Sequence, residues 1–142
     1  MQLQLLLGTA MIAASVVFHV GGLVFLSGLL QATARRVQSS RPRWRMTVIL
    51  TVAVFVIIGI HTIEAWSWAF LYMLIGEFSD LSQALYFSIV TSTTLGYGDI
   101  TLTDQWRLLS TFEAMGGLIL FGASTAFLLA TMRHLFQQQP AD

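Results

Sequence analysis

The sequence predicts an all-α membrane protein with three transmembrane helices and a short re-entrant helix between the second and the third. Hydrophobic residues make up 56% of the 142 residues and charged residues only 10%, whereas soluble domains carry about 25% charged residues. The apolar residues gather in three stretches, each longer than the roughly 20 residues that a bilayer-spanning helix needs. A glycine-rich string interrupts the sequence between the last two stretches.

The three apolar stretches run from about residue 3 to 34, from 44 to 76 and from 105 to 136. The first has no basic segment before it and continues past the length of a signal peptide's apolar core. We therefore expect residues 1–34 to form a retained transmembrane helix. The chain has no cysteine and equal numbers of basic and acidic residues, which excludes disulfides and argues against a nucleic-acid partner.

Charge asymmetry predicts the orientation of the spans. Residues 35–45 read RRVQSSRPRWR and hold five of the seven basic residues and no acid, so this loop should stay cytoplasmic by the positive-inside rule. We expect the N-terminus outside, residues 77–104 outside, and a short tail at 137–142 inside the cell, in the plasma membrane. Aromatic side chains typical of the outer membrane interface should anchor that end of the second span: Trp66, Trp68 and Tyr72.

The segment before the glycine-rich string predicts a helix that enters the membrane without crossing it. Residues 82–93 read SQALYFSIVTST, an apolar run too short for a span. Asp80 or Ser82 can cap its N-terminus by accepting backbone N–H bonds. Irregular backbone at membrane depth is tolerated only where protein or a water-filled path surrounds it. The negative end of this helix dipole would favour a cation there.

The string itself places glycine at every second position, at Gly96 and Gly98 in L-G-Y-G. Successive carbonyls can face one axis when residues alternate between right-handed and left-handed backbone regions. Left-handed positions carry little cost only for glycine. Thr94 adds a hydroxyl at the inner end of this row.

TTLGYGD closely resembles the selectivity-filter signature of tetrameric potassium channels. Outer helix, pore helix, filter and inner helix follow in that family's order over residues 46–136, which we expect to form a pore domain, with residues 1–45 outside the resemblance. The resemblance implies a K⁺-selective channel with K⁺ as the permeant ion and no cofactor. One filter strand cannot enclose an ion, so a C4 homotetramer in membrane lipid is implied, without a small-molecule substrate.

The resemblance also assigns roles residue by residue. Gly98 closes the filter row, Tyr97 packs outward to hold the filter's diameter, and Asp99 caps the outer mouth. Tyr86 and Phe87 would belong to an aromatic cuff on the pore helix. Leu95 departs from the usual valine, which bears on inactivation more than on selectivity. Backbone carbonyls would replace the hydration shell of K⁺ at Thr94, Leu95, Gly96 and Tyr97.

The third span predicts the cavity and the gate. Gly117 matches the position of the family's glycine hinge if this chain is one residue shorter after the filter than members of that family. Close helix packing through small residues is an alternative of equal weight. One helical face should line the cavity and the inner constriction, formed by Leu118, Phe121, Thr125 and Leu129. An apolar ring at Leu129 could gate the pore by dewetting.

Ionisable residues inside the spans are candidates for a functional role because placing a charged side chain in lipid costs free energy. His61 and Glu64 share one helical face, and Glu113 should lie at a depth similar to that of His61. We expect Glu113 to pair with His61, or with Ser88, Thr91 or Ser92. A structural polar contact is favoured over pH sensing through His61, and a metal site is the weakest alternative. His19 is expected to make a buried or interfacial polar contact.

The first span lacks the arginine repeat of a voltage sensor and should pack against the outside of the pore domain through its small residues, namely Gly21, Gly22 and Gly28. Three other functions remain open: a poorly selective cation channel, a non-conducting membrane interaction protein, and an intramembrane enzyme using His61 and Glu64. The sequence offers no nucleophile or metal set for the enzyme.

Overall fold

A computed structural model describes residues 1–137. It forms four helices: α1 (Gln2–Arg36), α2 (Pro42–Leu74), α3 (Leu81–Ser92) and α4 (Arg107–Gln137). The three long helices are long and apolar enough to cross a membrane, and the protein is therefore an all-α membrane protein, as predicted. The tail predicted for 137–142 lies outside the described residues except for Gln137.

The helix ends follow from local sequence. α1 continues to Arg36 and places two arginines in its last turn, where cations stabilise the carbonyl end of a helix. α2 already begins at Pro42, a residue suited to the first helical turn, so the basic link shortens to residues 37–41. The predicted cap of α3 is confirmed at Asp80, whose Oδ2 accepts the backbone N–H of Gln83 at 3.0 Å.

α1 packs against both α2 and α4 and contacts them through glycine. A Cβ built on Gly22 would lie 2.6 Å from Ile60 of α2, and one on Gly8 would lie 2.5 Å from Phe112 of α4. α1 therefore docks on the two spans that flank α3. The predicted close approach at Gly21 and Gly28 is wrong, because a Cβ at either position would meet nothing within 4 Å.

The aromatic residues near the end of α2 do not all act as interfacial anchors. Trp66 is 39% exposed, but Trp68 is 4% exposed and Tyr72 is fully buried. The last two belong to an apolar core with Phe87 of α3 and Leu109 of α4. The anchor prediction for Trp68 and Tyr72 is wrong because residues of α1, α3 and α4 pack over this stretch of α2.

Candidate functional site

The backbone after α3 alternates in handedness. Thr94, Gly96 and Gly98 have φ angles of 59°, 53° and 77°, so every second residue lies in the left-handed region. This confirms the conformation predicted for the two glycines. Thr94 was not expected there, because a β-branched residue in this region is a genuine outlier and the left-handed conformation costs an L-residue about 1–2 kcal/mol.

The strained row is held against the end of α3 by backbone hydrogen bonds. The N–H groups of Leu95 and Gly96 both donate to the Val90 carbonyl, at 3.0 and 3.1 Å, and Thr94 N–H donates to Thr91 O at 2.9 Å. The surrounding structure therefore compensates for a conformation that an isolated threonine would avoid.

The distal end of the row is fixed by side chains. The Tyr86 hydroxyl donates to Asp99 Oδ2 at 2.7 Å, which links the outer end of the row to α3. This hydrogen bond, followed by desolvation and the charge of the same carboxylate, raises the pKa of Tyr86 above its ordinary value. Glu77 accepts bonds from the backbone N–H and the hydroxyl of Thr103, at 2.8 and 2.6 Å, and so ties the segment before α3 to the segment after the row.

The two aromatic residues predicted as a cuff take different positions. Tyr86 is 39% exposed and bonds to Asp99, whereas Phe87 is 6% exposed. The Phe87 ring packs against Tyr72 and Phe78 with centroids 5.2 and 5.4 Å away. Phe87 therefore contributes to the core of its own chain.

Gly117 brings the backbone of α4 into close approach with the backbone of α3. A Cβ at this position would lie 2.1 Å from the Ser92 carbonyl oxygen, at the end of α3 that leads into the glycine-rich row. Of the two alternatives considered for this glycine, the structure supplies the contact required for close packing.

The predicted cavity face of α4 is largely uncovered in the single chain. Leu118 is 65% exposed, Leu129 49% and Phe121 38%, and Thr125 is exposed as well, with its hydroxyl donating to the Phe121 carbonyl at 2.9 Å. The ring of Phe121 stacks on His61 of α2, with centroids 4.1 Å apart.

Glu113 lies in a buried polar cluster with two hydroxyl groups. Its carboxylate oxygens lie 2.6 Å from the Tyr72 hydroxyl and 2.5 Å from Ser88 Oγ, which also lies 2.9 Å from the Ala65 carbonyl oxygen. Glu113 is 1% exposed. Of the partners predicted for it, Ser88 is present.

The prediction that Glu113 pairs with His61 or with one of three hydroxyl residues is confirmed through Ser88, whereas the similar depth predicted for Glu113 and His61 is wrong. His61 contacts Ser124, which follows Glu113 by eleven residues, or about 16 Å of helix. α2 and α4 run antiparallel, so Tyr72, rather than His61, lies level with Glu113. The predicted depth was wrong because these helices are longer than the hydrocarbon core of the bilayer. Their aromatic residues therefore do not mark where the hydrocarbon core begins and ends.

A second polar cluster joins α1, α2 and α4. Glu64 contacts both histidines, with Oε1 2.9 Å from His19 Nδ1 and Oε2 2.9 Å from His61 Nδ1. Ser124 Oγ lies 3.0 Å from His61 Nε2 and 3.1 Å from His19 Nε2. His19 is fully buried, as one of its two predicted environments required.

Sequence reasoning had no partner for His19, although a signal was present. The buried residues of α1 are Gly8, Ser15, His19, Leu26 and Leu30, which recur at spacings of seven and four and so share one helical face. Small and polar residues on one face of an apolar span indicate the side that packs against other helices.

Comparison with known proteins gives one result. A family model described as ion channel matches residues 44–134, which cover most of α2, all of α3 and most of α4. No curated protein and no solved structure shows a significant match.

Proposed function

The chain belongs to the ion channel family, and from this premise we propose that it is a potassium-selective channel that conducts K⁺ passively. The observation that carries the proposal is the left-handed backbone at Thr94, Gly96 and Gly98. It lies within TTLGYGD, the string that resembles a potassium filter. An alternating backbone of this kind can present one carbonyl after another to a dehydrated cation.

The proposed ion sites are formed by the backbone carbonyls of Thr94, Leu95, Gly96 and Tyr97, with the Thr94 hydroxyl at the innermost site. K⁺ would exchange its hydration shell for these oxygens and pass by knock-on between neighbouring sites. The hydrogen bonds to Val90 and Thr91 support the proposal because they fasten the row to a rigid helix. Preorganised ligands let an ion be dehydrated without reordering the protein.

We propose that four copies surround the pore. Large apolar side chains remain open in the single chain at the filter and on α4: Leu95 is 56% exposed, Tyr97 66% and Leu118 65%. Irregular backbone at membrane depth is tolerated only where protein or a water-filled path surrounds it, so the exposed filter row at residues 93–99 needs neighbouring copies to cover it. A fourfold ring would bring the filter strands together and place Leu118, Phe121, Thr125 and Leu129 along an inner cavity.

The proposed orientation has the filter's Asp99 end facing outward and the basic link facing the cytoplasm. The link at residues 37–41, with the flanking turns of α1 and α2, holds five of the seven basic residues. Positive charge beside a span retains that loop inside the cell. In a bacterial or eukaryotic plasma membrane, K⁺ is more concentrated inside the cell than outside, and a channel in this orientation would conduct K⁺ down that gradient.

Cation flux into proteoliposomes tests the proposal. Vesicles containing purified protein should take up Rb⁺ and exclude Na⁺, and external Ba²⁺ should block the uptake. Gly96→Ala should abolish uptake because an alanine at φ 53° is strained. Gly59→Ala is the matched control, since a Cβ there meets nothing within 4 Å.

Equal uptake of Rb⁺ and Na⁺ would instead identify a poorly selective cation channel. No uptake of either ion by protein that reconstitutes as a tetramer would identify a non-conducting protein with a pore-like fold.

A further inference from the structure

The cluster of His19, His61, Glu64 and Ser124 lies near the middle of three membrane-spanning helices. His19 is the central residue of α1, His61 and Ser124 lie within three residues of the centres of α2 and α4, and Glu64 lies one helical turn beyond His61. Glu64 is 7% exposed and Ser124 4%. Ionisable groups at this depth are costly, and a functional role is their default explanation. K⁺ conduction through a carbonyl filter makes no use of them.

We propose that His19, His61 and Glu64 form a Zn²⁺ site that fastens α1 to the pore-forming helices. Their candidate ligand atoms all lie within 4.8 Å of one another. Two histidines and one glutamate are an established ligand set for zinc, which binds imidazole nitrogen and carboxylate oxygen at about 2.0–2.2 Å. The proposal concerns a second site in the protein and does not depend on which ion the filter selects.

The geometry requires only a small rearrangement to bind the ion. Tetrahedral ligands at these bond lengths stand about 3.3 Å apart. Each Nδ1 already lies 2.9 Å from its own oxygen of Glu64. A modest rotation of the Glu64 carboxylate would make room for the ion between the two rings. His61 and Glu64 are one helical turn apart on α2, so the helix keeps their backbones at a fixed spacing.

Ser124 provides the outer support that zinc-bound histidines need. Ser124 Oγ lies 3.0 Å from His61 Nε2 and 3.1 Å from His19 Nε2, on the side of each ring that faces away from Glu64. When zinc binds both Nδ1 atoms, both Nε2–H groups donate to Ser124 Oγ, which has two lone pairs. Partners of this kind orient metal-bound histidines.

The surroundings leave room for a fourth ligand and for entry. A cavity of about 30 Å³ borders His61 and Glu64, which is enough for one water molecule. His61 also lines an open hollow of about 270 Å³ on the surface of the single chain, and 14% of its side chain is exposed. Three protein ligands with a water in the fourth position are a common zinc arrangement.

Zinc bound here would connect α1 to the conduction pathway. His19 belongs to α1, whereas His61 stacks on Phe121, a residue of the proposed cavity face. Fixing His61 would restrain that ring. α1 would then act as a docked helix whose hold on the pore depends on the metal.

Metal content of the full-length protein tests the site. Protein stripped with a chelator is dialysed against Zn²⁺ and measured by mass spectrometry for bound metal. Wild type should hold about one Zn²⁺ per chain, and His19→Gln and Glu64→Gln should hold none. Ser124→Ala should bind about 10–100-fold more weakly. His134→Gln, which removes a histidine of α4 outside the cluster, should bind as wild type does.

Cobalt provides a readout that needs no variant. Co²⁺-loaded wild type should show the intense visible absorption of a four-coordinate ion, and Zn²⁺ should displace it. If the ligand variants aggregate, the test is the Zn²⁺ affinity of Ser124→Ala relative to that of His134→Gln. Absence of stoichiometric metal in wild type, or retention of metal by well-folded His19→Gln, overturns the proposal. Neither measurement involves a current, so a failure of the zinc proposal can be distinguished from a failure of the proposed K⁺ selectivity.

Discussion

Replacing Gly117 by alanine tests the contact between the inner span and the filter segment. The added Cβ would lie 2.1 Å from the Ser92 carbonyl oxygen and 2.9 Å from its carbon. Ordinary contacts of this type begin near 3.4 Å, so α4 or the end of α3 must move by about 1 Å. Both sides are backbone, which cannot turn away as a flexible side chain can. Overpacking of this kind costs about 1–3 kcal/mol.

Gly122→Ala is the matched control because it lies on the same helix and its Cβ would meet nothing within 4 Å. Both substitutions gain about 1 kcal/mol of helix propensity, so this gain cancels in the comparison. Gly117→Ala should therefore be less stable than Gly122→Ala by about 1–3 kcal/mol. For a chain of this size that difference lowers the melting temperature by roughly 3–10 °C.

Thermal unfolding in detergent, followed by size-exclusion chromatography, measures the difference. Rb⁺ uptake should also fall in Gly117→Ala, because the displaced carbonyl belongs to the helix that carries the filter. Equal melting temperatures for the two variants would refute the packing argument. Equal melting temperatures with altered open probability in Gly117→Ala would instead support a hinge.

Glu113→Gln should stay within about 1 kcal/mol of wild type in thermal unfolding, because an amide can accept from Tyr72 and donate to Ser88. Glu113→Ala should lose about 3–5 kcal/mol, because it leaves a cavity and a Tyr72 hydroxyl without its acceptor, while the Ser88 hydroxyl keeps the Ala65 carbonyl. A large loss in the glutamine variant would contradict this. Tyr86→Phe removes the bond to the carboxylate at the outer end of the filter and should accelerate the decay of K⁺ current. Because the pKa of Tyr86 is raised above its ordinary value, the phenol keeps its proton and the wild-type bond persists between pH 6 and 9. The decay should therefore not vary over this range on account of the phenol. Leu129→Asp should raise the resting K⁺ leak by hydrating the inner constriction, and an unchanged leak would argue against an apolar ring there.

Local rules predicted much of the fold. Apolar length identified the three spans, and the shorter apolar run identified α3 to within one residue of its bounds. Asp80 was one of the two residues predicted to cap α3, because its side chain can accept a backbone N–H of the turn that follows. Alternating glycines predicted the left-handed backbone at Gly96 and Gly98. In each case the determining interaction lies within a few residues along the chain.

The missed features depend on contacts between distant segments. Thr94 adopts a conformation that its own chemistry disfavours, because α3 holds its neighbours in place. Tyr72 is of the residue type, and at the position in the sequence, expected of an interfacial anchor, yet α3 covers it. His19 meets Glu64 only through the register in which α1 packs against α2, which no local pattern specifies.

The reversal potential of purified protein in a planar bilayer tests K⁺ selectivity most directly. With a tenfold K⁺ gradient balanced by Na⁺, a filter formed by the TTLGYGD carbonyls should give a reversal potential close to the K⁺ value of about 59 mV. A reversal potential near zero would show that Na⁺ passes as readily as K⁺ and would contradict the account.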